Sequence, residues 1–131
     1  MLVKYKNDYE KIAMGFLSYL PDLKVMSNLK TELSLYTTDP DHELYLYKEN
    51  NDDDFIGVVG VETGSDFLLV RHISLSPSVR DQATQFAILD DLAKLCGEDK
   101  KLMGSLETTQ LIVAWERARK EQGFGTDAGS R

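Results

Sequence analysis

The fold is decided by the stretch Phe67-Leu68-Leu69-Val70-Arg71-His72-Ile73-Ser74-Leu75, by the polar turn 76–85 that follows it, and by the segment 86–96. The first stretch is apolar and rich in β-branched residues, which predicts a strand. The last has apolar residues at helical spacing before Gly97, which predicts a helix. Strand, tight turn and helix in this order point the unpaired N–H groups of a helix N-terminus at the turn, and such groups bind anions, usually phosphate.

The rest of the chain supplies the other elements of a mixed sheet. Apolar patterning predicts strands at 2–5, 43–48, 55–62 and 100–106, and helices at 7–20, 22–36 and 108–122. Asn7 and Glu10 are expected to cap the first helix, and Gly123 the last. Three consecutive strands predict an antiparallel meander, and the helix after them predicts a crossover to a parallel strand. The expected class is α/β (α+β), a mixed, mostly antiparallel sheet with helices on both faces.

Length and composition exclude several classes of protein. The 131 residues fit a single domain, expected over 1–124, with a disordered tail over 125–131. The formal charge of −7 argues against a nucleic-acid-binding protein, and no apolar run approaches the roughly 18 residues of a membrane span. The N-terminus has no signal-peptide pattern, and Cys96 is the only cysteine, so neither an internal disulfide nor a metal site is expected. These features predict a cytoplasmic protein.

The element order, with the turn Pro77-x-x-Arg80 after the central strand, resembles the Gcn5-related N-acetyltransferase (GNAT) family. Within that family the resemblance is closer to the RibT group, the acetyltransferase-like proteins encoded in bacterial riboflavin operons. The stretches that carry it are Tyr5-Lys6 with Glu10-Lys11-Ile12-Ala13-Met14-Gly15, Ile56-Gly57 with Gly60-Val61-Glu62, and Arg71-His72-Ile73-Ser74 with Pro77-Ser78. The resemblance covers most of residues 1–122.

The resemblance implies a site for acetyl-CoA as co-substrate. In the family, the strands that correspond to those near Leu75 and Leu102 splay apart and open a V-shaped cleft. The pantetheine arm lies there as a pseudo-strand, against the backbone of Ile73, Ser74 and Leu75. The loop that cradles the pyrophosphate has the pattern Arg/Gln-x-x-Gly-x-Gly/Ala. That pattern maps onto Arg80, Asp81, Gln82, Ala83, Thr84 and Gln85, which are therefore the expected cofactor-binding residues.

The loop departs from the family pattern in ways that bear on phosphate binding. Ala83 replaces the first glycine, and is tolerated only where its φ is negative. Gln85 replaces a small residue, so its side chain must swing away or occupy the phosphate position. Asp81 adds a negative charge where phosphate is expected to lie. Arg71, His72 and Arg80 offset that charge if they point the same way.

The end of the chain also departs from the family. Thr108 stands where many members carry an Asn at the start of the last helix, and it joins the expected cofactor-binding residues. Arg119 stands where a Tyr often serves as general acid. The last two strands of the family are missing, which leaves the acceptor site open or completed by another chain. A homodimer is therefore a candidate assembly.

Two residues are candidates for accepting the proton of the reacting amine. Glu62 ends a strand and is a candidate general base, although an exposed strand-end carboxylate is the simpler interpretation. His72 lies on the cleft strand and can take the proton directly or through water, although a hydrogen-bonded, half-buried histidine is the simpler interpretation. Trp115 and Cys96 are expected in the core.

The leading hypothesis is an acetyl-CoA-dependent N-acetyltransferase whose acceptor is a small-molecule amine or a protein amine, with a link to riboflavin biosynthesis. The main alternative is a non-catalytic regulatory or interaction protein of the same fold with a degenerate CoA loop. A weaker alternative is a flavin or nucleotide binder that uses the same cleft. Substitutions in the loop motivate the main alternative, and binding of CoA separates the two hypotheses.

Overall fold

The computed structural model describes residues 1–122, which form one sheet with helices on both faces. The strands are β1 (Leu2–Lys4), β2 (His42–Tyr47), β3 (Gly57–Thr63), β4 (Phe67–Leu75) and β5 (Lys101–Gly104), in that spatial order. Neighbours from β1 to β4 are antiparallel, and β5 is parallel to β4. The predicted meander and crossover are therefore confirmed. Gly123 and the predicted tail lie outside the described residues.

Four helices cover the two faces of the sheet in residues 1–122: α1 (Glu10–Leu17), α2 (Met26–Thr38), α3 (Gln82–Cys96) and α4 (Thr109–Glu121). One core joins α1 and α2 to the sheet through Leu17, Leu33, Leu44, Leu46 and Val58. The other core joins α3 and α4 to the opposite face through Val61, Val70, Ile88, Leu92 and Trp115. The expected fold class is confirmed. None of these helices has the length and apolar character needed to cross a bilayer.

Three predicted helix starts are wrong. Asn7–Tyr9 forms a separate 3-10 turn, and α1 begins at Glu10 without a side-chain cap. Pro21–Leu23 also forms its own 3-10 turn, so α2 begins at Met26. The third difference affects the site: α3 begins at Gln82 rather than at residue 86, because Asp81 caps it. The residues at 82–85 thus form the first turn of α3 rather than a loop.

A β-bulge on β4 brings two successive side chains to the same face of the sheet. Gly60 of β3 pairs with His72, whereas the next residue, Val61, pairs with Val70, so Arg71 is the extra residue. Gly57 and Gly60 predict a bulge or a close backbone approach in this part of the sheet, and the structure has the bulge opposite Gly60, with the extra residue on β4. The bulge interrupts the alternation of the strand, and both Arg71 and His72 contact Glu32 of α2.

Candidate active site

A cleft opens where β4 and β5 separate. The two strands pair only as far as Val70 and Gly104. The buried hydroxyl of Thr108 donates to the Val70 carbonyl oxygen at 2.7 Å and accepts from the Ser105 N–H at 2.8 Å. The Ser105 hydroxyl donates to the Arg71 carbonyl oxygen at 2.9 Å. Thr108, an expected cofactor-binding residue, therefore lies at the closed end of the cleft and fixes the point at which the strands part.

Replacing Thr108 by valine is expected to lower the free energy of unfolding by about 1–3 kcal/mol, because the isosteric side chain loses the hydroxyl bonds to the Val70 carbonyl and the Ser105 N–H and leaves these two groups only their direct bond of 3.1 Å. Urea unfolding measures this loss. The matched control is Thr31→Val at an exposed position of α2, where the free energy of unfolding is expected to change by no more than about 0.5 kcal/mol. Equal losses of stability in the two variants would show that the Thr108 hydroxyl does not fix the point at which β4 and β5 separate.

Beyond Val70, the edge of β4 that faces the cleft has no strand partner in residues 1–122. The Ser76 N–H donates to Ile56 at the other edge, and backbone direction alternates along a strand. Ser74 therefore faces β3, whereas the backbone groups of Ile73 and Leu75 face the cleft. The Leu75 carbonyl accepts from Arg80 Nε at 2.9 Å. Of the three residues predicted to bond a pantetheine arm, two present their backbone to the cleft.

The first turn of α3 presents fewer free N–H groups than a loop of the family pattern. The Asp81 carboxylate accepts from the Thr84 N–H at 2.8 Å, and this bond lowers the pKa of Asp81. The Gln85 N–H donates to the Asp81 carbonyl. Only Gln82 and Ala83 in this turn keep N–H groups without an acceptor among residues 1–122. The Asp81 carboxylate thus already takes the Thr84 N–H, one of the groups expected to be available to a phosphate.

Arg80 lines a small cavity of about 150 Å³ at the open end of the cleft. Its guanidinium lies 4.8 Å from the ring centroid of Tyr19. Gln85, which is predicted to replace a small residue of the family loop, also lines this cavity. The remaining lining residues are Leu20, Ile73, Ser74 and Leu75.

A larger cavity of about 850 Å³ lies further along β4. Its lining residues come from the turn before α2, from α2, from β4 and from the turn after β5: Leu20, Pro21, Asp22, Leu23, Glu32, Leu69, Arg71, His72, Ser105, Leu106 and Glu107. Leu20 lines both cavities, and the β4 residues of one follow directly on those of the other. The two cavities therefore lie next to each other along β4, with Leu20 between them.

A network of charged and polar side chains forms one wall of the larger cavity. The Glu32 carboxylate accepts from the Arg71 guanidinium through both oxygens and from His72 Nε2 at 3.0 Å. The Tyr36 hydroxyl accepts from Arg71 at 2.6 Å and lies 2.8 Å from His72 Nε2. Glu32 and Tyr36 thus tie α2 to the bulge of β4 beside the larger cavity.

The network fixes the protonation of its members. Burial raises the pKa of Glu32, but hydrogen bonds from His72 and Arg71, together with their charges, outweigh burial and lower it to about 2. Burial and the neighbouring Glu32 charge raise the pKa of Tyr36, which therefore stays a neutral phenol. Because an ionised carboxylate only accepts, the network assigns a proton to His72 Nε2.

A relative identifies the family of this fold and cleft. The chain is 35% identical, over 117 residues, to the uncharacterized N-acetyltransferase in the lysA 3' region of Bacillus methanolicus. The match covers 88% of this chain and 95% of that protein. The chain belongs to the GNAT family of N-acetyltransferases. Its sequence matches no model of a known protein family.

Solved structures share the GNAT fold at low sequence identity. A putative GNAT-family acetyltransferase from Bacteroides thetaiotaomicron superposes with a TM-score of 0.65 at 14% identity, over 90% of this chain and 70% of the other. An aminoglycoside N-acetyltransferase, AAC(6')-Iy in complex with CoA, gives 0.62 at 13% identity, over 100% of this chain and 90% of the other. At these identities the likeness shows the fold alone.

In this GNAT protein, both candidate bases, His72 and Glu62, contact polar side chains of neighbouring elements. His72 lines the larger cavity, but its Nε2 is held by Tyr36 and Glu32, and its buried Nδ1 has no hydrogen-bond partner in residues 1–122. Glu62 does not line that cavity, and its carboxylate lies 3.3 Å from His42 Nε2 on the paired strand. The simpler interpretation of each residue, a bonded histidine and a strand-end carboxylate, describes this geometry.

Arg119 and Trp115 belong to α4 and contact Asp90 of α3. The Trp115 indole is buried and donates to Asp90 at 2.9 Å, as expected of a core residue. Arg119 Nη1 lies 3.4 Å from the same carboxylate, and its guanidinium lies 4.6 Å from the Trp115 ring. Neither residue lines either cavity of the cleft. Cys96 is buried, and burial raises the pKa of its thiol.

Four residues of the site are not indicated by the sequence: Glu32, Tyr36, Asp22 and Glu107. Tyr36 follows Leu29 and Leu33 at helical spacing, which predicts a core position, and Glu32 looks like an ordinary exposed position one turn before Tyr36. The only available signal is an acidic residue placed one helical turn from a stripe tyrosine, which is too common to indicate a site.

Proposed function

We propose that this protein transfers the acetyl group of acetyl-CoA to an amine. The observation that carries the proposal is the unpaired edge of β4, which runs between a small cavity at Arg80 and a large one at Arg71. A strand edge without a partner offers backbone groups to an extended amide chain such as pantetheine. Membership of the GNAT family and the CoA complex of a structural neighbour support this assignment.

The residues at the small cavity fit a CoA molecule in part. The backbone of Ile73 and Leu75 faces the cleft, and the first-turn N–H groups of Gln82 and Ala83 are free for a pyrophosphate. Arg80 supplies positive charge to the small cavity that it lines. Asp81 and Gln85 oppose binding, one by its charge and one by its volume. We therefore expect measurable CoA binding that is weaker than a loop with small residues would give.

The large cavity is the proposed site of the acceptor. Its volume of about 850 Å³ suits a small molecule. The amine must reach the thioester with its lone pair free, so its proton has to leave during the reaction. Because both nitrogens of His72 are enclosed, we propose that the proton passes through water to the exposed carboxylates at the cavity mouth, Asp22 and Glu107.

Calorimetric titration with CoA and acetyl-CoA, at low and at moderate salt, tests the donor site. Micromolar to submillimolar binding that weakens with salt is expected, since phosphate contacts are screened. Gln85→Ala is expected to tighten binding by about tenfold, because it opens the small cavity and suits a helix. The control is Gln110→Ala, an exposed position of α4 that does not line the cleft. No binding of either ligand at millimolar concentration would contradict the proposal and favour a non-catalytic protein.

The resemblance to the RibT group extends the proposed activity to amines of riboflavin biosynthesis as acceptors. These amines are therefore included among the acceptors tested in a thiol-release assay. No turnover of these amines would reject the link to riboflavin biosynthesis. The single cysteine supports a cytoplasmic location, to be tested by cell fractionation. Three exposed apolar residues support a homodimer: Met103 on β5, Leu106 in the turn after it and Val113 on α4. A monomer mass in light scattering would reject the homodimer.

A further inference from the structure

The large cavity contains three carboxylates and two basic side chains, but these charges are not equally available. Glu32 pairs with both basic residues, Arg71 and His72, through the bonds described above. The Glu32 side chain is 15% exposed and the Arg71 side chain 24%, so the pair is largely shielded from water. The basic groups on this wall are therefore balanced by a carboxylate of the same wall.

Asp22 and Glu107 are the carboxylates that remain. Asp22 belongs to the 3-10 turn before α2, and Glu107 to the turn after β5, so they approach the cavity from different elements. Both residues are exposed, and neither has an ion-pair partner within residues 1–122. With Arg71 balanced, the charge that a ligand meets in this cavity is negative.

The chemistry of acetyl transfer limits which positive charge can use these carboxylates. The nitrogen that attacks the thioester has to be unprotonated, so it carries no charge when it reacts. Any lasting attraction to Asp22 and Glu107 must therefore come from another group of the acceptor. A second ammonium group meets that requirement, whereas a carboxylate or phosphate in the same place would be repelled.

We propose that Glu32 determines the charge specificity of the acceptor cavity: by balancing Arg71 it leaves Asp22 and Glu107 to select an amine that carries a second ammonium group. The inference rests on the proposed function, because it concerns the acceptor of that reaction. Glu32 acts as a positioning and specificity residue: it lines the cavity, but its carboxylate is bound by Arg71 and His72. Without Glu32, the Arg71 guanidinium presents an unbalanced positive charge to the cavity.

Three amines with the same four-carbon chain provide the test. 1,4-Diaminobutane has a second ammonium group, butylamine has none, and 4-aminobutanoate has a carboxylate in its place. Each is titrated by calorimetry into the protein saturated with CoA, and each is assayed for thiol release from acetyl-CoA. The wild-type protein is expected to bind the diamine about tenfold or more tighter than butylamine, and to bind 4-aminobutanoate most weakly.

Variants separate the contributions of Asp22 and Glu107 from that of Glu32 to the charge specificity. Asp22→Asn together with Glu107→Gln is expected to bring the diamine-to-butylamine ratio close to one, and both positions are exposed, so folding is retained. Glu32→Gln is expected to lower that ratio severalfold and to raise binding of 4-aminobutanoate. Adding Arg71→Met to Glu32→Gln is expected to restore the wild-type order. Glu98→Gln, an exposed carboxylate outside the cavity, is the control and is expected to leave the ratio unchanged.

The outcomes distinguish this inference from the proposed function. Equal binding of the diamine and butylamine by the wild-type protein, or an unchanged ratio in the Asp22/Glu107 variant, overturns the charge specificity even if acetyl transfer is seen. CoA binding without turnover of any of the three amines counts against transfer to these acceptors, while the order of binding still decides the charge specificity. If CoA does not bind, the same titrations into the protein alone decide it.

Discussion

Replacing Gly60 by alanine is expected to lower the free energy of unfolding by about 3 kcal/mol or more, or to prevent folding. Gly60 is buried in β3, directly opposite His72 of β4. A Cβ at this position would overlap the hydroxyl of Tyr36 and lie 2.7 Å from His72 Cε1. Both side chains are buried and hydrogen-bonded, so neither can move aside without breaking the network that joins α2 to β4.

Thermal and urea unfolding measure this effect, and Gly15→Ala is its matched control. Gly15 lies in α1, and a Cβ there would meet no atom within 4 Å. Since glycine disfavours a helix, Gly15→Ala is expected to raise stability by up to about 1 kcal/mol. If Gly60→Ala folds with wild-type stability, the close approach of Tyr36 and His72 to this backbone is not a feature of the folded protein.

The second large effect is expected at Glu32, whose replacement by glutamine should cost roughly 3 kcal/mol at pH 7. The native pKa of about 2 lies well below the ordinary value of 4.5, and a shift of this size corresponds to roughly that free energy. Glutamine keeps the size of the side chain but loses the charge that holds Arg71 and His72. Urea unfolding of the two proteins at pH 7 measures the difference.

The pH dependence has a definite sign. Because the pKa of Glu32 is depressed in the folded state, its stabilisation is fully present above about pH 4.5 and is lost as pH falls towards 2. The stability difference between wild type and Glu32→Gln should therefore shrink across that window. A difference that stays constant from pH 7 to pH 2.5 would show that the carboxylate charge does not stabilise the fold.

Two further variants show whether the pair itself is responsible. Glu32→Gln combined with Arg71→Met is expected to recover part of the loss, since no unpaired guanidinium remains at the cavity wall. Glu43→Gln removes a carboxylate from a surface pair with Lys4, whose side chain is 67% exposed, and is expected to change stability little. Equal losses at Glu32 and Glu43 would contradict the special position of Glu32.

Much of the fold is predictable because its signals are local. The Phe67–Leu75 strand and the helix that follows it are marked by apolar periodicity over adjacent residues, and the crossover between parallel strands follows from their order. Helix starts are less predictable. Asp81 is a good N-cap by residue type, but the family pattern draws attention to its charge near phosphate rather than to its bond to Thr84.

The candidate site is predictable only where it follows a single segment of chain. The backbone edge at Ile73 and Leu75 and the position of Arg80 follow from one strand and its turn. Glu32 is 39 residues from Arg71, and no local pattern links them. The bulge that turns Arg71 and His72 to one face depends on pairing with β3, because a shift of one residue moves a side chain across the sheet.

The sequence by itself determined the element order, the mixed sheet, the cleft strand and the family resemblance, since each depends on patterns within a few consecutive residues. Tertiary structure alone decided that Glu32 balances Arg71, that Thr108 joins Val70 to the turn after β5, and that the Asp81 carboxylate caps the first turn of α3. Those contacts depend on distances between elements, and the charge of the cavity follows from them. Periodicity places a residue on a face, but only packing selects its partner.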